Sequence, residues 1–274
     1  METYFFIPAN RLHKIQAIQK LNVDQIIIDL EDAVKTSERE AFIKTLENQD
    51  IRRDFYIRVP IYTIQNQLDI SLYLQLKKWG YTNFIFPKIK DIHDFELLKN
   101  ELSTAERIIL LIETPLFLVQ LKEVLEKYHH LIKGIGLGSH DLMNYLGAEH
   151  TLTNLDYYRN YLLLHAKAYQ VEAFDIASME LKDEDELKNE ILDGFKKGFN
   201  AKFYIHPWQV ELKDKIAFFT ETDLEWASSI FNEYKKVDDA EEFNPIVVNG
   251  EIIEKPHLNK VFTILKYFRK YETE

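Results

Sequence analysis

The chain has 274 residues, 46% hydrophobic and 29% charged, which is core material for a large folded unit and excludes a disordered chain. With 34 Lys and Arg against 45 Asp and Glu the net charge is −11, which argues against a nucleic-acid or membrane-surface partner but leaves room for a small anion held by a few arginines. There is no cysteine, so disulfides, thiolate metal sites and cysteine nucleophiles are excluded.

No run approaches 18 apolar residues, and the segment METYFFIPANR lacks a secretory pattern, so the expected setting is cytoplasmic. Eight short runs rich in Ile, Phe and Val follow one another: Tyr4–Pro8, Gln25–Glu31, Phe55–Pro60, Asn83–Ile89, Arg107–Glu113, Ile132–Ser139, Glu172–Ser178 and Lys202–Pro207. They show little in/out alternation, as parallel strands buried on both faces do. Between them Lys14–Lys20, Ser37–Glu47, Asn66–Lys78, Ile92–Glu101, Leu116–Tyr128, Asp156–Tyr169 and Glu184–Lys197 carry apolar residues at helical spacing. Gly80 and Gly198 follow two of these helices, where a left-handed cap is needed. The alternation predicts an α/β fold, a (β/α)8 TIM barrel over 1–236 with a C-terminal helical extension over 237–274. In the extension, Ile246–Ile253 reads as a hairpin turning at Asn249-Gly250, and Leu258–Tyr271 as a last helix.

In such a barrel the chemistry sits at the C-terminal ends of the strands. The runs end in Asn10-Arg11, Asp29-Leu-Glu31-Asp32, Arg58, Lys88, Glu113, Ser139-His140-Asp141 and His206-Pro207. Glu113 and Asp141 close neighbouring runs, and two converging carboxylates need a cation between them, for which oxygen ligation points to Mg²⁺; the alternative is that each caps a helix. Arg58 reads either as a fork for a substrate carboxylate or enolate, or as the partner of Asp29 or Glu31. Lys88 reads as a Schiff-base amine or as electrostatic support for the carboxylates. Asp29 and Glu31 share one face of their run and, with Asp32, are placed to support the metal site and orient Arg58 and Arg11. His206 reads equally as a base or as a hydrogen-bonded turn.

The set Phe6-Ile-Pro-Ala-Asn10-Arg11, Ile28-Asp-Leu-Glu-Asp-Ala-Val34, Arg58, Phe86-Pro-Lys-Ile89, Ile112-Glu-Thr114, Gly138-Ser-His-Asp-Leu142, Ile205-His-Pro-Trp-Gln209 and Asn249-Gly-Glu-Ile-Ile-Glu254 resembles the citrate lyase β-subunit and malyl-CoA lyase family of aldolase-type enzymes. The resemblance implies a barrel of the phosphoenolpyruvate/pyruvate type with Mg²⁺ at Glu113 and Asp141. It places the substrate carboxylate at Arg58, CoA phosphates or the substrate mouth near Arg11, and Glu254 as an acid acting on a neighbouring subunit's site. It further implies a homotrimer or hexamer and a metal-dependent carbon–carbon lyase acting on a β-hydroxyacyl thioester such as malyl-, citramalyl- or citryl-CoA, with a 2-oxo acid released. A malate synthase- or thioesterase-like relative and a non-catalytic ligand-binding barrel are the alternatives. The chain departs from the family pattern at Ala9, Pro60 and Glu254, where Gly, Asn and Asp are usual.

Overall fold

A computed structural model describes residues 1–47, 54–236, 244–248 and 250–271. Eight parallel strands, β1 (Glu2–Pro8), β2 (Gln25–Asp29), β3 (Tyr56–Arg58), β4 (Asn83–Phe86), β5 (Arg107–Ile112), β6 (Ile132–Leu137), β7 (Glu172–Asp175) and β8 (Ala201–Tyr204), pair in sequence order. β1 also pairs with β8, so the barrel is closed. Every expected run overlaps one of these strands, but apart from Asp29 and Arg58, which end β2 and β3, the polar ends of the runs lie just beyond them. Glu113 follows β5, and Ser139 starts a helix rather than ending β6. The connections carry α1 (Ile15–Ile18), α2 (Thr36–Glu47), α3 (Ser71–Lys78), α4 (Ile92–Lys99), α5 (Pro115–Val119), α6 (Leu121–Tyr128), α7 (Ser139–Leu146), α8 (Leu152–Ala168), α9 (Glu184–Lys197) and α10 (Pro207–Asp214). Gly198 closes α9 in the left-handed region at φ 99°, as its position after the helix predicts.

The barrel interior is filled by alternate residues of the strands. Tyr4, Phe6, Ile27, Tyr56, Ile85, Ile109, Leu111, Phe174, Ala201 and Phe203 form one buried cluster. β6 contributes no side chain here because its inward positions are glycines. A methyl group on Gly134 would stand 2.5 Å from the Phe174 ring, and one on Gly136 2.8 Å from the Phe203 ring. The same parity, carried to the strand ends, sets the next residues over the barrel mouth: Asp29 after Ile27, Arg58 after Tyr56, and Glu113, just past β5, after Leu111.

On the outer side of β7 and β8 lies an ionic cluster that composition alone does not announce. Arg159 of α8 donates to both carboxylate oxygens of Asp175 at 2.9 Å, and to Asp193 at 2.6 Å. Lys202 donates to the Ile176 carbonyl at 2.7 Å and pairs with Glu190 at 2.7 Å. Arg159, Asp175 and Lys202 are fully buried, so these charges are tolerated because each is paired.

The chain divides into two compact units, Met1–Lys215 and Ile216–Glu274. The second holds α11 (Glu221–Tyr234), the hairpin β9 (Ile246–Val248) with β10 (Glu251–Ile253), and α12 (His257–Tyr271). Its core is Ala227, Ile230, Ile253, Leu258, Val261 and Ile264. That packing places α11 with the tail, so the second unit begins at 216, ahead of the expected position 237. The expected hairpin is present, with Gly250 at φ 85°. Asn249 of its turn and the polar stretch 238–243 lie outside the described residues. No helix among the described residues is long and apolar enough to cross a membrane.

Candidate active site

A cavity of about 540 Å³ opens at the C-terminal mouth of the barrel. Its polar lining is Asn10, Arg11, Asp29, Asp32, Arg58, Glu113 and Asp141; its apolar lining includes Phe6, Leu137, Ala177, Phe203 and Ile205. Thus Arg11, Asp29, Asp32, Arg58, Glu113 and Asp141 are brought together, and Glu31 and Lys88 join them through ion pairs. Glu254 lies in the other unit, exposed, just after β10, with its backbone N–H donating to His257 Nδ1 at 2.9 Å.

Register fixes the first contact. Asp29 and Arg58 are directly paired on β2 and β3. The Arg58 Nε donates to Asp29 Oδ1 at 2.8 Å and Nη2 to Oδ2 at 2.6 Å, a two-bond fork. Nη1 lies 3.4 Å from Glu31 Oε2, and the guanidinium carbon sits 5.1 Å from the Phe6 ring centroid. Burial disfavours the Arg58 charge, but Asp29 and Glu31 more than offset it, so the cation is held above its ordinary value. Asp29 and Glu31 thus contact the Arg58 guanidinium, and Arg58 also lines the cavity.

Lys88 adopts a left-handed backbone, φ 57°, uncommon for a non-glycine residue. That turn aims its backbone N–H at Glu113 Oε2, 2.7 Å away. Its ammonium reaches Glu31 Oε1 and Asp32 Oδ1, each at 2.6 Å, with Asp141 Oδ2 at 3.8 Å. Burial weakens the ammonium charge but Asp32 and Glu31 outweigh it, so Lys88 stays protonated. The Lys88 ammonium is thus shared among carboxylates, whereas a Schiff base would need it free.

Glu113 is 2% exposed. Gly138, at the start of α7, leaves the space its carboxylate fills; a methyl group there would overlap Glu113 Cγ and Oε1. Burial pushes the Glu113 carboxyl up to about 8; Arg58 and Lys88 lower it, while Glu31 and Asp141 raise it. Asp141 stands in the first turn of α7, where the helix dipole favours its charge. Burial likewise raises Glu31.

These residues suit a divalent cation. Five carboxylates, Asp29, Glu31, Asp32, Glu113 and Asp141, face three cations, Arg11, Arg58 and Lys88. With every carboxylate ionised the excess is two negative charges; burial first, and then Glu31 and Asp141, raise the Glu113 carboxyl, and a bound cation would offset both. Among the described residues no three acidic or histidine side chains form a closed cage. Two carboxylates with water and substrate oxygens is a common Mg²⁺ arrangement, since that ion keeps several waters.

One contact near the mouth joins His140 to a residue the sequence does not point to. The His140 and His150 rings stack at 3.7 Å with 2° between planes, and His150 Nε2 lies 2.9 Å from the Ser139 hydroxyl. Burial lowers both imidazoles. Nothing in the spacing of His140 and His150 signals that they meet. His206 is the N-cap of α10, its Nδ1 accepting from the Trp208 N–H at 3.2 Å, which is the hydrogen-bonded turn rather than a base.

The family model for HpcH/HpaI aldolase/citrate lyase matches residues 2–207. The chain belongs to this family. The aldolase-type carbon–carbon lyase expected from the motifs is the class to which the HpcH/HpaI aldolase/citrate lyase family belongs. The human mitochondrial citramalyl-CoA lyase is 26% identical over 255 residues, covering 84% of this chain and 75% of the relative. A (3S)-malyl-CoA thioesterase of Cereibacter sphaeroides is 27% identical over 263 residues, covering 92% and 89%. CitE from Mycobacterium tuberculosis, solved with magnesium, acetoacetate and coenzyme A, superimposes with a TM-score of 0.81 at 22% identity over 97% of each chain, so the two share the fold.

Proposed function

We propose that the barrel mouth is a Mg²⁺-dependent lyase site that cleaves or forms the carbon–carbon bond of a β-hydroxyacyl-CoA of the malyl, citramalyl or citryl kind. The observation that carries this reading is the excess of carboxylates around Glu113 and Asp141 in a cavity that also has apolar lining. Glu113 and Asp141 would hold Mg²⁺, which supplies Lewis-acid polarisation of substrate oxygens. The chain's own groups do the rest. The Lys88 N–H fixes Glu113, and the Lys88 ammonium pairs with Glu31 and Asp32. Asp29 and Glu31 hold Arg58, whose unshared N–H edge takes negative charge on the substrate carboxylate or on the thioester enolate.

In the cleavage direction the substrate hydroxyl loses its proton and the Cα–Cβ bond breaks. A 2-oxo acid departs, and the thioester enolate takes a proton at its α-carbon. Glu254 of a neighbouring subunit is the proposed donor, and Arg11 the proposed contact for CoA phosphates. A homotrimer or hexamer in the cytoplasm completes the reading.

The test is a panel of malyl-, citramalyl- and citryl-CoA with Mg²⁺ or with EDTA. Equal amounts of 2-oxo acid and acetyl-CoA, abolished by EDTA, are expected with at least one substrate. Free CoA without oxo acid would instead mean thioester hydrolysis, the activity named for the Cereibacter relative.

A further inference from the structure

The Ile205-His-Pro-Trp-Gln209 motif ends in a residue to which the site as described gives no task. Gln209, on α10, is fully buried, and its side-chain amide makes four hydrogen bonds. Its Oε1 accepts from the Ile205 N–H at 2.9 Å and the His206 N–H at 3.2 Å. Its Nε2 donates to the Ser178 carbonyl at 2.9 Å and the Glu180 carbonyl at 3.0 Å. Two donors and two acceptor sites exhaust the amide, and the two pairs of partners lie on different loops, one after β8 and one after β7. The amide thus fixes its own orientation and clasps the two loops together.

The clasped loops carry pocket wall. Ala177 and Met179 flank Ser178, Ile205 precedes His206, and all three line the cavity. The β7 loop is tied elsewhere too. Lys202 holds the Ile176 carbonyl at 2.7 Å, and the Glu180 carboxylate accepts from the N–H groups of Leu181, Lys182 and Asp183 at 2.9, 2.6 and 2.8 Å. The loop is therefore stiff, and Gln209 sets its distance from the β8 loop. This wall lines the same cavity as Glu113, Asp141 and Arg58, so a substrate whose oxygens meet those three groups has Ala177 and Ile205 available for its apolar substituent.

We propose that Gln209 is a positioning residue for specificity: it sets the apolar wall that distinguishes the substituent on the 2-oxo acid, hydrogen in glyoxylate and methyl in pyruvate. The inference rests on the 2-oxo-acid reading above. A single methyl group is worth roughly 10- to 200-fold to a pocket of fixed shape, and less to one that yields. Glu at this position offers two acceptors but no donor, so it keeps the β8 loop and releases the β7 loop; Met fills the space and releases both.

The test is calorimetry of glyoxylate and pyruvate with Mg²⁺ at pH 8 on the full chain, with amide exchange on the same samples. Wild type is expected to prefer one oxo acid. Gln209→Glu should move the ratio of dissociation constants about fivefold or more toward unity and speed exchange in 178–183 while Ile205 and His206 stay protected. Gln209→Met should do both and expose the β8 loop as well. Ile205→Val, a mild change that leaves the clasp intact, should move the same ratio without faster exchange. An unchanged ratio in Gln209→Glu and Ile205→Val would overturn the inference and leave the lyase reading standing. Wild type binding neither oxo acid would overturn both.

Discussion

Arg58 and Asp29 stand opposite each other in the register of β3 and β2, and two parallel bonds of 2.8 and 2.6 Å join them at the barrel mouth. The functional and the structural readings of Arg58 are thereby the same fact: its position toward the cavity exists because Asp29 holds it. Asp29→Asn should weaken the fork, cost about 2–4 kcal/mol as a largely buried pair is broken, and lower turnover. Arg58→Lys keeps the charge but cannot copy the fork, and should lose on the order of a hundredfold in turnover while the protein still melts cooperatively. Thermal melts beside product assays check both. Wild-type turnover in Arg58→Lys would reduce Arg58 to a structural partner of Asp29.

Glu113 makes metal-free stability depend on pH. Its carboxyl is raised from the ordinary 4.5 to about 8, mainly by burial. Between those values the unfolded chain ionises while the folded chain stays protonated there, so native stability falls as pH rises through the window and levels off above it. Glu113→Gln has nothing to titrate and keeps an acceptor for the Lys88 N–H. In EDTA the variant should be more stable than wild type, by about 1–3 kcal/mol at pH 7, with the gap widening from pH 5 to pH 8. Urea denaturation at several pH values measures it. A pH-independent gap would contradict the assigned burial penalty.

Gly138 has φ −81°, so a side chain there meets a limit of space rather than of backbone conformation. Gly138→Ala would press its methyl group on Glu113. Loss of about 1–3 kcal/mol and a Mg²⁺ affinity at least tenfold weaker are expected, because Glu113 must leave the Lys88 N–H. Calorimetry with Mg²⁺ reads the second effect, and unchanged affinity would show that Glu113 need not be held there.

Glu254 follows β10 and precedes Lys255-Pro256, exposed, in a compact unit outside the barrel strands. If it serves a neighbour's site, inactive Glu254→Ala and inactive Glu113→Gln subunits should regain activity when co-assembled, since one mixed site holds both residues. Oligomers shown by mass to contain both variants, yet without activity, would place Glu254 in its own subunit's site. Full activity of Glu254→Ala alone would remove it from catalysis.

The barrel was legible because parallel strands buried on both faces leave apolar runs, and the charged residues at their ends stand out against them. The ends themselves were not legible to the residue. Ser139 read as the end of a strand because the apolar run flows into Gly138, whereas Gly138 turns the chain into α7. Gly134, Gly136 and Gly138 alternate visibly in sequence, but only the packed rings of Phe174 and Phe203 and the Glu113 carboxylate show what fills the spaces they leave. The Arg159–Asp175–Lys202 cluster and the Gln209 clasp join elements brought together by the pairing of β7 with β8, so no local spacing announces them.

The central claim is one divalent ion held jointly by Glu113 and Asp141, and titration calorimetry with Mg²⁺ tests it most directly. The account predicts one ion per subunit in wild type, affinity raised by a bound 2-oxo acid, and loss of binding in both Glu113→Gln and Asp141→Asn with the fold retained. Wild-type Mg²⁺ binding in either variant would contradict it.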